Sequence, residues 1–204
     1  MHLLEQTYYS IFIYQLTQLK KIQHFVALHC AASRGHTDCL ETLIALCGAE
    51  VDVIDNNGCT ALFYAVTLGH ADCTELLLNY GAEPNRQDRK GRTPAHCGAA
   101  KGQLETIKLL AKHGTNLWLR NVRGDLPLHE AVISGRKDLV MWLLSLRPDT
   151  VNIANNDGKS PIHLAALNNN VEMVKVMDFI SLSCVHCMQR IVGKYRGFFH
   201  WVES

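Results

Sequence analysis

The chain has 204 residues, 48% hydrophobic and 19% charged, with 20 Lys+Arg against 19 Asp+Glu and a formal charge of +1. That is the profile of one globular unit, or two small ones, with enough apolar material for a continuous core. A charge so near zero excludes any global drive toward DNA, RNA or an anionic membrane surface, so an electrostatic partner has to be met by a local patch.

The opening residues, MHLLEQTYYSIFIYQLTQLKK, lack an early basic cluster, and Glu5, Gln6, Gln15 and Gln18 interrupt their apolar run. They do not read as a secretory leader, and no apolar stretch is long enough to span a bilayer. Leu4, Tyr8, Ile11, Phe12, Leu16 and Leu19 recur at three- and four-residue spacing, which predicts an amphipathic helix over residues 1–24 that caps whatever follows. A membrane-surface helix is the alternative, weakened by a polar face rich in Gln and Thr and poor in Lys and Arg. The eight cysteines are read as reduced thiols of a cytoplasmic or nuclear protein.

From residue 25 the chain repeats. The turn glycines Gly58, Gly91, Gly124 and Gly158 lie 33, 33 and 34 residues apart, and Thr60, Thr93, Leu126 and Ser160 follow them at the same steps. In each unit a polar turn ends in Gly, and Thr or Ser then offers a helix cap before Pro94, Pro127 or Pro161 in the first turn. A short small-residue helix follows and stops at Gly35, Gly69, Gly102 or Gly135. A second helix, apolar at helical spacing as in Leu104, Ile107, Leu110 and Ala111, leads to the next turn. Such helices are marginal alone and persist by packing on their neighbours.

The pattern GRTPAHCGAAKG…LLAKHG, with NNGCTAL…LLLNYGAEPN before it and DGKSPIHLAA after it, resembles the ankyrin repeat over roughly residues 25–177. The resemblance implies an all-α solenoid of stacked helix-turn-helix units with β-hairpin-like fingers, about five repeats over 25–178 with the first and last atypical. Several positions depart from it. The first unit lacks a finger signature, Phe63-Tyr64 stands in place of the usual His and its neighbour, and Leu126 replaces the capping Thr. SLRPDTVN carries one extra residue, and the pattern is lost after VEMVKVM, leaving 179–204 as a non-repeat extension.

His96 beside Cys97 suggests a nucleophile with its base, but the histidine slot recurs as His29, His129 and His163. By the resemblance, its imidazole bonds the helix-opening hydroxyl and the backbone of the adjoining unit. No full Gly-x4-Gly-Lys-Ser/Thr phosphate loop, dinucleotide fingerprint or paired carboxylates occur, so neither catalysis nor a cofactor is expected. Cys184-x2-Cys187-x12-His200 matches three ligands of a zinc finger without the fourth, so no metal site is assigned. A metal or redox role for that segment is the alternative reading.

The function expected is non-catalytic protein binding by a monomer, as an adaptor, scaffold or targeting subunit. The resemblance places the partner on the concave face of fingers and first helices, at Asn57, Tyr64, Arg89, Lys90, Arg92, Lys101, Arg123, Asp125, Glu130 and Lys159. PNRQDRKGR and LRNVRGD make two adjacent fingers basic and favour an acidic or phosphorylated segment. Nucleic-acid binding through these fingers is disfavoured by neutral net charge and the lack of interleaved aromatics. Asn85, in LNYGAEPN, is a candidate for hydroxylation by the same resemblance.

Overall fold

The computed structural model describes residues 26–178. Five helix pairs follow one another. Helix α1 covers residues 26–34, and α2 (Thr37–Glu41) runs on into a π-helical turn, Thr42–Leu46. The regular pairs are α3 (Ala61–Leu68) with α4 (Ala71–Asn79), α5 (Pro94–Lys101) with α6 (Leu104–Lys112), and α7 (Pro127–Ile133) with α8 (Lys137–Leu146). The last pair is α9 (Pro161–Leu167) and α10 over residues 171–178. No β-strand occurs among the described residues. The proposed capping helix over 1–24, and Cys184, Cys187 and His200, lie outside them.

Local chemistry sets each helix boundary. Thr60, Thr93, Leu126 and Ser160 hold the extended backbone that precedes a helix, and proline begins α5, α7 and α9, where its missing N–H is not needed. Helix α5 stops at Gly102, whose φ of 78° lies in the left-handed region. A Cβ at this glycine would stand 2.5 Å from Arg136 Cδ, so the next unit's side chain occupies the space a larger residue needs.

The first helices pack in a row, α3 on α5, α5 on α7 and α7 on α9, and the second helices lie behind them. Ala61, Ala65, Ala95, Ala99, Ala131 and Ala165 are wholly buried where the first helices meet, and their small size permits the close approach. Gly98 is tighter still, since a Cβ there would lie 2.8 Å from Val66 Cγ1. Leu77, Ile107, Leu110 and Leu143 supply bulk from the second helices, each worth about 2 kcal/mol of burial. The result is one core running the length of the row, to which every unit lends its two sides.

The extra residue of the fourth unit is absorbed behind the stack. There a 3-10 turn, Pro148–Asn152, replaces the glycine turn and buries Val151. The guanidinium of Arg147 covers the half-buried Trp118 ring at 5.7 Å.

Candidate functional site

The fingers are turns built by one side chain each. The Oδ1 atom of Asp55 accepts the backbone N–H groups of Asn57 (2.7 Å) and Cys59 (2.8 Å). Asp88 does the same for Lys90 and Arg92 (both 2.8 Å), Asn121 for Arg123 (2.8 Å) and Asp125 (3.0 Å), and Asn155 for Asp157 and Lys159 (both 3.0 Å). A short polar acceptor that bonds its own backbone two residues on is what fixes this turn. Backbone bonds then link each finger to the next: Arg89 N–H to Asn57 carbonyl (3.0 Å), Val122 to Lys90 (3.1 Å) and Asn156 to Arg123 (3.0 Å).

Long side chains reinforce two of these links. Gln87 Nε2 donates to the carbonyls of Gly91 (2.6 Å) and Arg120 (3.0 Å). Arg120 in turn donates to the carbonyls of Gly124 (3.1 Å) and Ala154 (2.9 Å). The same slot one finger earlier is Ile54, 46% exposed and unable to donate.

Behind the fingers the histidines bind unit to unit. Thr93 donates its N–H (3.1 Å) and its hydroxyl (2.8 Å) to His96 Nδ1. That nitrogen must therefore be bare, so Nε2 carries the proton and donates to the Asp125 carbonyl (3.0 Å). His129 repeats the arrangement between Leu126 N–H (3.1 Å) and the Ile153 carbonyl (3.0 Å), although Leu126 has no hydroxyl to add. His29 Nε2 reaches the Cys59 carbonyl (3.1 Å), and His163 Nδ1 accepts from Ser160 N–H (3.2 Å). Burial holds His96 and His129 below the ordinary histidine value, against the pull of Asp125. At the Phe63 position the ring is buried, and Thr60 Oγ1 is left buried without a partner among the described residues.

His96 with Cys97 is thus not a nucleophile and base. His96 is wholly buried with both ring nitrogens engaged, and burial pushes the Cys97 thiol up to about 11. Burial likewise raises Cys59 to about 12, with Asp55 adding to it. Thiols so protonated are poor nucleophiles near neutrality.

Between the fingers at 55–59 and 88–92 and the helices α3 and α5 lies a groove of about 640 Å³. Tyr64, Leu68, Cys97 and Ala100 line it from the helices, and Asn57, Arg89, Lys90 and Arg92 line it from the fingers. Lys101 stands at the helix end of the groove. The Tyr64 hydroxyl donates to Asp55 Oδ2 (2.7 Å), and its ring meets the edge of His29 at 5.7 Å. That hydrogen bond, with burial adding to it, raises Tyr64 to about 12. Burial pushes Asp55 up, but the Tyr64 hydroxyl and the Cys59 and Asn57 amides outweigh it and hold the carboxyl low.

Six of the ten residues expected on the binding face, Asn57, Tyr64, Arg89, Lys90, Arg92 and Lys101, line this groove. The other four lie further along the row. Asp125 is 2% exposed, with Oδ1 accepting from Asn155 Nδ2 (2.8 Å) and Oδ2 paired with Arg123 Nε (3.0 Å). Arg123 also pairs with Glu130 (3.1 Å), whose carboxyl burial pushes upward against that pairing. Lys159 sits 4.0 Å from Asp157. Asn85 is half-buried and joins two loops behind the stack, its Oδ1 accepting from Asn116 N–H (2.8 Å).

The basic character of the fingers is therefore uneven. Arg92 is bound to Asp88 (2.7 Å), Arg120 to carbonyls and Arg123 to two carboxylates. Arg89, Lys90 and Lys101 make no ion pair among the described residues and remain exposed. Sequence reasoning counted Arg120 and Arg123 with the free charges, because the atoms that claim them are brought near only by stacking. The Gln87 and Arg120 stitches were missed, and their 33-residue spacing was the available signal.

Among the described residues there is no group of three or more His, Cys, Asp and Glu that could hold a metal ion, and no helix is long and apolar enough to cross a membrane. The model of the family "Ankyrin repeats (3 copies)" matches in overlapping segments, residues 11–88, 28–121, 81–154 and 114–177. Inversin of Homo sapiens is 32% identical over 151 residues, covering 74% of this chain and 14% of that protein. The potassium channel AKT2/3 of Arabidopsis thaliana is 33% identical over 132 residues, 64% of the chain and 16% of the channel. The E3 ubiquitin-protein ligase KEG of the same plant is 27% identical over 152 residues, 73% of the chain and 9% of the ligase. The chain thus spans a small part of each of these relatives. With the repeating fingers, the histidine links and the family match in agreement, the chain belongs to the ankyrin repeat family.

Proposed function

We propose that this chain is a non-catalytic protein-interaction module, an adaptor, scaffold or targeting subunit, whose partner polypeptide lies on the concave face of fingers and first helices. Ankyrin repeats generally mediate protein–protein interaction. One observation carries the choice of face. The finger backbones are fixed by their own Asx turns and cross-finger bonds, while Arg89, Lys90 and Lys101 line the groove without an ion-pair partner among the described residues. Side chains held in place yet left uncommitted suit recognition, because little backbone order is lost on binding. The six cysteines among the described residues are free thiols, which supports work in the cytoplasm or nucleus.

The test is site-specific photo-cross-linking in cell extract. A photoreactive phenylalanine at position 90 or 101 should trap a polypeptide that the same group at position 112, on α6 behind the stack, does not. Equal trapping at 112, or trapping there alone, overturns the assignment of the face.

A further inference from the structure

We propose that the groove between the fingers at 55–59 and 88–92 takes an extended, unphosphorylated acidic segment that carries one apolar side chain, a refinement resting on the protein-binding reading above. The groove has an apolar floor. Leu68 is 48% exposed at the end of α3, and the half-buried Tyr64, Cys97 and Ala100 continue the surface beside it. Three uncommitted cations surround that floor: Arg89 and Lys90 on the finger side and Lys101 on the helix side. An apolar group seated on Leu68 and Ala100, with carboxylates to either side, satisfies both features at once.

The cations also distinguish carboxylates from phosphate. Compact recognition of a phosphate favours guanidinium forks that converge on one point. Arg92, the fork closest to the floor in sequence, is spent on Asp88 at 2.7 Å, which leaves Arg89 and two ammonium groups on separate elements. Separated point charges match separated carboxylates.

The site has a boundary as well. One unit further along, Arg123 is shared by Asp125 and Glu130 and Arg120 is held by two carbonyls, so neither guanidinium is uncommitted. An acidic segment is attracted over α3 and α5 and meets only committed guanidinium groups at that finger. The partner's negative stretch therefore ends near finger 121–125, and its direction along the face is set by that loss of uncommitted cations.

Fluorescence anisotropy with the full chain tests this. The probe is a labelled peptide of alternating Glu and Ser around one central Leu. It should bind saturably, and replacing every Glu by Gln, or the Leu by Ser, should each weaken it about tenfold. Arg89→Glu with Lys101→Glu should weaken it by at least about tenfold, Lys112→Glu should leave it unchanged, and Arg123→Gln should cost at most about twofold. Thermal melts establish that each variant is folded, and Glu130→Gln, which removes one of the two carboxylates held by Arg123, should tighten binding where Arg123→Gln proves unstable. Equal binding of the Gln peptide, about tenfold tighter binding of a peptide with phosphoserine for Glu, or a loss in Arg123→Gln matching that of the double variant each overturns the proposal. So does the lack of saturable binding. If the peptides fail while cross-linking at positions 90 and 101 persists, this refinement falls and the protein-binding face stands; if cross-linking fails too, both fall.

Discussion

Thr60→Val should stabilise the protein, while Thr93→Val, the same change one unit later, should destabilise it. Thr60 is fully buried, and its hydroxyl has no partner among the described residues because Phe63 occupies the slot that holds histidine elsewhere. A buried hydroxyl left unsatisfied costs about 1–3 kcal/mol. Valine keeps the shape, and the extended backbone at residue 60, φ −93° and ψ 173°, accepts a β-branched side chain. No side-chain cap bond is lost, since none is made. The expected gain is about 1–2 kcal/mol, or a rise of about 2–8 °C in Tm for a chain of this size. At Thr93 the hydroxyl lies 2.8 Å from His96 Nδ1, and its removal should cost about 1 kcal/mol. Thr115 holds a second hydroxyl without a partner among the described residues, and Thr115→Ala should share the sign of Thr60→Val, because Ala49 and Ala82 fill that slot in earlier units. Urea titration followed by circular dichroism reads the midpoint shift, valid while the m-value is unchanged. If Thr60→Val lowers the midpoint as Thr93→Val does, the orphan argument is wrong and the hydroxyl caps α3 after all.

Acid should loosen the stack through its histidines. His96 and His129 have folded values below the ordinary 6.5, so between the two values the unfolded chain binds more protons. Stability is then intact above about pH 6.5 and falls as pH drops through the lowered folded values, and His96→Gln should flatten that slope; an unchanged slope in the variant removes His96 from the account. Ile54→Gln should supply the missing stitch between the first two fingers and raise the unfolding free energy, read from the urea midpoint, by about 0.5–1 kcal/mol, and no gain would show that the Gln87 contact is decorative. Gly98→Ala sets helix propensity, worth about 1 kcal/mol, against a Cβ 2.8 Å from buried Val66 Cγ1. Overpacking should win by about 1–2 kcal/mol, and the loss should vanish in a Val66→Ala background when both are melted side by side.

The repeat was legible because its chemistry recurs at a fixed step. The histidine slot showed at His29, His96, His129 and His163, and the departure at Phe63 pointed to the flaw in the row, the buried, unmet hydroxyl of Thr60. That Arg89, Lys90 and Lys101 fall together was legible from their finger and first-helix positions, and they line one groove. The engagement of Arg120 and Arg123 was not legible. A charge count along the chain cannot see that the Ala154 carbonyl comes 34 residues later to one guanidinium, or that Glu130 folds back seven residues to the other. Asp125 reads as a surface residue from its finger position, yet stacking buries it between Arg123 and Asn155. The π-helical turn after α2 had no visible signal, as TLIAL continues an ordinary helical pattern.

The fourth loop has a wider consequence. One residue is added between Gly124 and Gly158, yet the Asn156 amide still meets the Arg123 carbonyl at 3.0 Å, because the Pro148–Asn152 turn takes up the slack at the rear. Spacing along the finger side is therefore set by contact between neighbours and not by counting along the chain. Lineages of such proteins are free to lengthen the rear loops, where closing a longer loop costs little, without shifting the spacing of the fingers on the front.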